Sequence, residues 1–434
     1  MENKILERIK VFYFMVVAVM MYYFLNEYID LGLHITYRHA FALVLFFSAT
    51  LLFLYNPNIA RGLTAFTQAC IYSIPLAVTT IVSLFIWFMQ TVDTSVISRG
   101  LSSSFIYANM LSFALGAGAL LYIFGRKGIW YNLIAILVSN ILMLLTIILQ
   151  NGIGSFFSEF ITLIVTFAAQ TGDIIVQAEI HELAFCLGAY LIYMLLKPKL
   201  VIVFFILHGL TAFCFLTAFK RIGIIAIVVA LVFGWLLKFI AKFKKDTAMR
   251  LTVFFSVILV VLLTGYVAII KMDVFSLLEK AGIDTSGRVV IYNAVDKCYE
   301  FSPDFLGNGI GFLTYQLSTN MNIGVSSVHN DFLQYFIDLG FWGYILWLAS
   351  MTLVRVCYFG KKGKVENGII ALALSIYLVI VSSTDNTMNY PLLTTVLAII
   401  MIGHGFDDNV QTYETKIFGY ILKANKKPEG GPIL

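Results

Sequence analysis

The sequence predicts an all-α polytopic membrane protein, with about twelve transmembrane helices and one long extracytoplasmic loop. Of its 434 residues, 60% are hydrophobic and only 12% are charged, whereas soluble domains carry about 25% charged residues. The apolar residues gather in stretches that are long enough, or nearly so, to cross a bilayer as helices. The net charge of +5 is small and spread along the chain, so we expect no nucleic-acid partner.

Twelve apolar segments succeed one another along the chain, and each predicts a membrane-spanning helix. The third is long and contains Pro75, which predicts a tilted or kinked helix. We expect residues 151–177 to form an amphipathic or re-entrant segment, because a further crossing would move Lys197 and Lys199 to the face that holds few cations. The twelve segments are residues 11–29, 40–55, 63–90, 104–124, 129–150, 178–196, 199–219, 222–240, 250–270, 331–354, 366–384 and 392–406.

The basic residues orient these helices. With the N-terminus inside, 21 of the 29 lysines and arginines fall on the inner face, and an excess of cations marks the cytoplasmic side. We therefore interpret residues 1–434 as one integral membrane domain, with residues 271–330 as an extracytoplasmic catalytic loop and residues 407–434 as a cytoplasmic tail. The outer cations are Arg38, Arg99, Lys220, Arg221, Lys271, Lys280, Arg288 and Lys297.

The loop of residues 271–330 is the only long polar interval in the sequence, so we expect the chemistry there. An arginine fork such as that of Arg288 is a natural ligand for phosphate groups, although a single arginine on a surface helix needs no function. Gly307, Gly309 and Gly311 are interpreted as backbone turns, because no strand precedes them as it does in a nucleotide-binding loop.

His329, Asn330 and Asp331 begin the tenth predicted helix. A histidine at the start of a helix that lines a polar cavity is a candidate for acid–base chemistry, although most lone histidines are structural. Asp338 lies on the same helix face as Asp331, about 10 Å further along the axis. A carboxylate this deep is costly unless it is paired or faces water, so we expect a hydrated cavity beside this helix.

Two further polar groups belong to the predicted outer face. Lys220 and Arg221 interrupt a long apolar run, which predicts a tight helical hairpin with this pair at its tip. The pair fits either side chains that snorkel to the interface or an anion site at the mouth of a cavity. Asp385 and Tyr390 lie in the last outer loop, where they suit sugar hydroxyls as well as an ordinary turn. No cluster has the spacing of metal ligands, so the sequence predicts no metal and no cofactor.

Several of these motifs occur together, and in this order they resemble the bacterial O-antigen polymerase and O-antigen ligase family. The resemblance covers about residues 200–360 and agrees with the number of predicted helices. At the hairpin tip the family usually has Ser-Arg, where this chain has Lys220-Arg221. The other motifs are Gly287-Arg288, Leu306-Gly307-Asn308-Gly309, His329-Asn330-Asp331-Phe332-Leu333 and Gly340-Phe341-Trp342-Gly343.

The resemblance implies a GT-C-like glycosyltransferase of the bacterial inner membrane, with its active site on the extracytoplasmic face and no metal or other cofactor. Donor and acceptor would be glycans on undecaprenyl pyrophosphate, and this lipid pyrophosphate would be released. Arg221 and Arg288 would hold the pyrophosphate, and His329 would activate the acceptor hydroxyl. Membrane lipid, a chain-length regulator and a flippase are the further partners it implies. The candidates for substrate binding are Lys220, Asn330, Asp331, Asp338, Asp385 and Tyr390.

Three functions stay open at this point. We favour a polymerase that builds O-antigen, capsular polysaccharide or exopolysaccharide, and the first alternative is an O-antigen ligase that transfers the glycan to a lipid A core. The more distant alternative is a lipid-linked oligosaccharide flippase or another transporter. A transporter should show paired halves and helices broken near the midplane, and the sequence shows neither clearly. The polar residues gather on one predicted face, which favours an enzyme.

Overall fold

The structure is a computed structural model, and nearly all of the residues it describes are helical. It describes residues 2–25, 34–55, 57–90, 94–166, 181–198, 201–218, 220–282, 287–319, 321, 327–363, 365–406, 415–417 and 420–422. The helices are α1 (Glu2–Leu25), α2 (His34–Tyr55), α3 (Ile59–Tyr72), α4 (Ile74–Met89), α5 (Thr94–Phe124), α6 (Gly128–Asn151), α7 (Ile153–Thr166), α8 (His181–Leu196), α9 (Ile202–Thr217), α10 (Arg221–Phe243), α11 (Lys245–Lys271), α12 (Val274–Lys280), α13 (Arg288–Val295), α14 (Phe312–Thr319), α15 (Asp331–Ala349), α16 (Arg355–Gly363), α17 (Val365–Ser382) and α18 (Pro391–His404). Strands β1 (Thr415–Ile417) and β2 (Tyr420–Leu422) form a small antiparallel pair within the predicted tail.

Each of the twelve predicted apolar segments overlaps at least one of these helices. The prediction of an α-helical membrane protein is therefore confirmed. Among the described residues, five helices are long and apolar enough to cross a membrane, or six if the bent pair α3–α4 is one span. This count does not reach the twelve predicted spans. Shorter apolar helices cover Ala42–Tyr55, Glu182–Leu196, Ile202–Thr217 and Pro391–His404.

One of the five long stretches, Met110–Asn151, is two helices rather than one. It contains 42 residues, roughly twice what a bilayer core of about 30 Å requires. A Cβ atom on Gly403 would lie 3.0 Å from the Leu121 side chain and 2.9 Å from that of Ile129, although a continuous helix would separate those residues by about 12 Å. The chain therefore folds back between α5 and α6, where Gly125 has a left-handed φ of 61°.

Helices α17 and α18 form the centre of the bundle, and nearly all of their residues are buried. Helix α17 packs against α10 and α16, and α18 packs against α5 and α8. The surrounding helices expose large apolar side chains, such as Phe239 on α10 and Val261 on α11. An apolar exterior of this kind suits lipid as the solvent. The fold is thus that of a multi-pass membrane protein whose core lies around α17 and α18.

Helices α10 and α17 run antiparallel, which fixes where Arg221 lies. The ammonium of Lys238, near the end of α10, lies 4.0 Å from the carboxylate of Glu366, at the start of α17. From this pair each helix continues for about 25 Å. Arg221, the first residue of α10, therefore lies at the same end of the bundle as Ser382, the last residue of α17.

The polar segment between α11 and α15 begins at this same end. The Arg288 guanidinium donates to the carbonyl of Thr384, just beyond α17, at 3.0 Å. The Lys271 ammonium, at the end of α11, lies 2.8 Å from the carboxylate of Asp296 in the segment. We call this the loop end of the bundle, and the other end the opposite end.

Helix α15 is broken at Gly340, where φ is 69° and ψ is −178°. A helix break leaves backbone groups without their intrahelical partners, and the glycine-rich segment before α14 supplies them. The Gly309 amide donates to the Asp338 carbonyl at 2.7 Å, and the Phe341 amide donates to the Phe305 carbonyl at 2.9 Å. The irregular backbone at this break is therefore paired within the protein, because lipid cannot satisfy unpaired backbone groups.

The approach of these two backbones depends on glycine. A Cβ atom on Gly307 would lie 2.3 Å from the Gly340 amide nitrogen, which no side chain could tolerate. Gly307, Gly309 and Gly311 have φ values of 90°, 83° and 84°, in the left-handed region that favours glycine. The interpretation of these three glycines as backbone turns is confirmed.

A second break separates α3 from α4, which meet at 50°. Pro75 follows this bend, so the predicted kink is confirmed. Arg355 covers the bend from α16: it is buried, it donates to the Tyr72 carbonyl at 2.7 and 3.0 Å, and its guanidinium lies 3.8 Å from the centre of the Tyr72 ring. A buried arginine thus satisfies a carbonyl at the bend.

Helix α7 forms part of the segment expected to be amphipathic or re-entrant. It has 14 residues, fewer than the roughly 20 that a spanning helix needs. Phe156 and Phe160 are buried on one face, whereas Ile161 and Val165 are exposed. One face therefore packs on the bundle while the other suits lipid. Residues 167–177 of the predicted segment lie outside the described residues.

Candidate active site

At the loop end, the start of α15 meets the connection between α17 and α18. His329 lies two residues before the start of α15, and 50% of its side chain is exposed. Its Nδ1 atom lies 3.9 Å from Oδ1 of Asp385 in the connection. The same Asp385 oxygen accepts hydrogen bonds from the Tyr390 hydroxyl at 3.0 Å and from the Asn386 amide at 2.8 Å. The carboxylate is therefore held in place beside the imidazole.

Tyr390 holds the Asp385 carboxylate through a hydrogen bond from its hydroxyl. Burial, and then the negative charge of Asp385, raise the pKa of the Tyr390 hydroxyl, so it stays protonated at neutral pH and can donate. Its ring stacks on Phe185 with centroids 6.2 Å apart. The hydroxyl that the sequence assigned to substrate binding is thus engaged by the carboxylate of Asp385.

Asp331 joins α15 to the same connection. Its side chain is buried, and its Oδ2 atom accepts from the Thr387 hydroxyl at 3.2 Å and from the Met388 amide at 3.0 Å. The sequence suggested Asp331 as a substrate ligand. In the structure its carboxylate holds the start of α15 against the connection that carries Asp385.

Asn330 is also buried. Its Oδ1 atom caps α15 by accepting from the amides of Phe332 and Leu333 at 3.1 and 3.2 Å. Its Nδ2 group donates to the hydroxyls of Tyr266 and Tyr292 at 3.1 and 2.9 Å. A side-chain amide offers two acceptor sites and two donors, so the protein occupies all four and none is left for a sugar.

Asp338 lies deeper on α15 and binds the glycine-rich segment. Its Oδ2 atom accepts from the Gly311 amide at 3.2 Å, and its Oδ1 atom accepts from the Leu313 amide at 3.1 Å. Its side chain is buried. Backbone amides of the glycine-rich segment therefore stabilise this carboxylate inside the protein.

Arg288 begins α13, and Gly287 before it turns the chain with a left-handed φ of 74°. The guanidinium is half-buried and donates to the Thr384 carbonyl at 3.0 Å. Thr384 directly precedes Asp385 in the chain. Arg288 is therefore anchored beside the carboxylate that faces His329, and the structure brings these three predicted site residues together.

Lys220 and Arg221 lie at the turn between two helices, because α9 ends at Thr217 and α10 begins at Arg221. The predicted interruption between two helices at this pair is therefore found, and both helices pack against α8. The Arg221 side chain is exposed and lies at the loop end. The two predicted site arginines therefore lie at the same end of the bundle.

Sequence reasoning missed two tyrosines of the site. Tyr292 lies four residues after Arg288 on α13, so the two share a helix face, and this spacing was the available signal. Tyr266 is a polar side chain near the end of the apolar helix α11, and its hydroxyl donates to the Ser383 carbonyl at 3.3 Å. Backbone partners such as Ser383 leave no trace in a sequence pattern.

The chemistry that this arrangement offers is proton transfer and anion binding. The imidazole of His329 is accessible and has a carboxylate neighbour, and Arg288 supplies a positive charge that is tied to the residue before that carboxylate. Among the residues that the structure describes, no group of three or more histidine, cysteine, aspartate or glutamate side chains could hold a metal ion.

Comparison with known families supports the resemblance noted in the sequence. Residues 202–348 match the family model described as O-antigen ligase. The matched part contains both predicted site arginines and His329, and it ends before Asp385. A comparison with curated proteins gives no match to the chain. The resemblance to the O-antigen polymerase and ligase family is therefore supported over residues 202–348, about a third of the chain.

Proposed function

We propose that this protein is a bacterial inner-membrane polysaccharide polymerase. It joins oligosaccharide repeat units carried on undecaprenyl pyrophosphate into O-antigen, capsular polysaccharide or exopolysaccharide on the extracytoplasmic face. The observation that carries the proposal is the meeting of His329, Asp385 and Arg288 at the loop end, with two of the three inside the family match. Twelve spans and a GT-C-like architecture belong to the same proposal.

His329 acts as the general base. It takes the proton from the acceptor hydroxyl as that oxygen attacks the anomeric carbon of the donor glycan. Asp385, held by Tyr390 and the Asn386 amide, lies 3.9 Å away and stabilises the imidazolium that forms. Half of the imidazole is exposed, so an acceptor can reach it.

The arginines act on the leaving group. The bond between the anomeric carbon and the pyrophosphate oxygen breaks as the new glycosidic bond forms, and undecaprenyl pyrophosphate leaves with the bonding electrons. Arg288, anchored on Thr384, and Arg221, exposed at the same end, stabilise this developing charge without a metal. Lys220 adds a further cation at the hairpin turn.

The proposed partners follow from this reaction. Donor and acceptor are lipid-linked glycans, so both reach the site from the membrane, and the exposed apolar face of α7 offers one side of the bundle to lipid. A flippase supplies the substrates to the extracytoplasmic face, and a chain-length regulator acts on the growing polymer.

Two alternatives each have an observation in their favour. The matched family model is described as O-antigen ligase, which favours transfer to a lipid A core. The break in α15 is a feature that transporters share. The glycine-rich segment fills this break with backbone hydrogen bonds instead of leaving it to line a cavity, so we favour an enzyme.

The test uses purified protein with lipid-linked repeat units as the only glycan, in the presence of EDTA. We expect a ladder of products with release of undecaprenyl pyrophosphate. Products that form only after addition of a lipid A core would favour the ligase. Movement of lipid-linked glycan across vesicles without any glycosidic bond would contradict an enzyme. Activity that EDTA abolishes and magnesium restores would contradict metal-independent transfer.

A further inference from the structure

A polar cluster around Asn330 lies outside the proposed catalytic groups. Four parts of the chain meet there: the start of α15, the end of α11 through Tyr266, α13 through Tyr292, and the connection after α17 through the Ser383 carbonyl. None of these groups takes part in the proposed bond-making steps. The cluster nevertheless joins the helix that carries Arg288 to the residue that follows His329, and these two residues do take part.

The amide orientation in this cluster is fixed by chemistry. The amides of Phe332 and Leu333 are donors only, so the atom that faces them must be the Asn330 oxygen. The nitrogen must then face Tyr266 and Tyr292, whose hydroxyls accept. Burial raises the pKa of the Tyr292 hydroxyl, so it remains neutral. The Tyr266 hydroxyl donates its own hydrogen bond to the Ser383 carbonyl.

Two of these links reach the catalytic groups directly. Tyr292 lies one helical turn after Arg288 on α13, so its hydrogen bond sets the position of the helix that carries the arginine. Asn330 directly follows His329, whose backbone has a left-handed φ of 50°. This conformation is uncommon outside glycine and persists only where the surroundings determine it.

The connection after α17 completes the arrangement. Its three consecutive residues each bind a different part of the site: the Ser383 carbonyl accepts from Tyr266, the Thr384 carbonyl accepts from Arg288, and the Asp385 carboxylate lies beside His329. A shift at any of these links changes the separation between the arginine and the histidine.

We propose that Asn330, acting through Tyr292 and Tyr266, is a positioning residue that fixes the His329 imidazole relative to the Arg288 guanidinium. It rests on the proposed function and replaces the substrate-binding role that the sequence suggested for Asn330. A base and a leaving-group cation act on the two sides of one substrate carbon, so their relative position controls the rate of transfer more than the affinity for the donor.

The test is Tyr292→Phe, which removes one acceptor of the Asn330 amide and keeps the ring. We expect kcat for glycosyl transfer to fall about three- to tenfold, as loss of one neutral hydrogen bond predicts, while the KM for the donor changes by less than about twofold. Tyr266→Phe is the second variant and should act in the same direction.

Tyr344→Phe is the matched control. Its hydroxyl is also buried and also joins α15 to α11, since it donates to the Leu263 carbonyl at 3.1 Å, but it lies beyond the break at Gly340. We expect its kcat to equal that of the parent. An equal fall in kcat for Tyr344→Phe and Tyr292→Phe would overturn the proposal, because loosening of the helices in general would then explain both.

A double variant separates this inference from the proposed function. If Tyr292 acts only through the placement of His329, Tyr292→Phe should have no further effect on kcat in a His329→Asn background. Full additivity of the two substitutions would overturn the positioning role while leaving His329 as the base. Parent-like activity of His329→Asn alone would instead contradict the proposed function, and this inference with it.

Discussion

At the scale of single residues, the candidate site consists of side chains that the surrounding protein holds in place. His329 has a left-handed backbone, Asp385 receives two donors on the oxygen that faces the imidazole, and Arg288 is tied to a carbonyl. Such preorganisation lowers the cost of arranging charged groups at the moment of reaction.

The proposed role of Arg288 depends on the shape of its guanidinium as well as on its charge. A guanidinium can donate to the Thr384 carbonyl and present further N–H groups to a pyrophosphate, whereas a lysine ammonium is a single point of charge. We expect Arg288→Lys to lower the rate of transfer about tenfold or more. Arg250→Lys, at an exposed position on α11 near the opposite end, should leave the rate unchanged, and parallel losses in both variants would contradict the assigned role.

The sequence was sufficient to find the polar residues of the site but not to separate their roles. His329 and Arg288 stood out because they lie in the only long polar interval. Asn330 stood out for the same reason, and Asp331 and Asp338 stood out as two carboxylates on one helix face, yet the structure buries all three. Burial depends on which segments pack over a residue, and a single sequence does not contain this information.

At the scale of elements, the break in α15 and the segment inserted into it are one unit. Gly340 has a non-helical backbone, and the segment around Gly307 supplies the hydrogen bonds that the helix loses there. The Asp338 carboxylate accepts hydrogen bonds from two backbone amides of the same segment. The sequence predicted the turns at the glycines and the kink near Pro75, because both residue types restrict the backbone locally. It gave no sign that the turns insert into a helix, which is a contact between distant residues.

Gly340→Ala tests this unit. A Cβ atom at Gly340 would lie 2.2 Å from the Leu306 carbonyl carbon and would require a φ of 69°, so we expect a loss of roughly 3 kcal/mol or more in the free energy of unfolding. Gly265→Ala on α11 is the control, since a Cβ atom there meets nothing within 4 Å. Thermal unfolding in detergent compares the two, and equal melting temperatures would contradict the tight insertion.

At the scale of the whole molecule, the bundle places its candidate chemistry at one end and many of its cations at the other. The order of apolar segments was predictable because each must be long and apolar to suit lipid. The number of spans was not confirmed, since some apolar helices are short and α3–α4 is bent. Length and composition alone do not decide how such helices cross a bilayer.

The predicted orientation has its own test. Ser318 is exposed on α14 and Thr247 is exposed at the opposite end of the bundle. We expect Ser318→Cys, in cells without an intact outer barrier, to react with an impermeant thiol reagent above the level of the parent protein, which has five cysteines of its own. Thr247→Cys should react only after lysis. The reverse pattern would place the site in the cytoplasm.

The most direct measurement of the central claim is the product ladder of His329→Asn, recorded beside donor binding. Asparagine tolerates the left-handed backbone that His329 adopts, so the substitution removes the imidazole without straining the turn. Loss of a general base typically lowers a rate about 10²- to 10⁴-fold, and we expect the ladder to fall by roughly this factor while donor binding persists. A near-normal ladder from His329→Asn would contradict the catalytic role of this site.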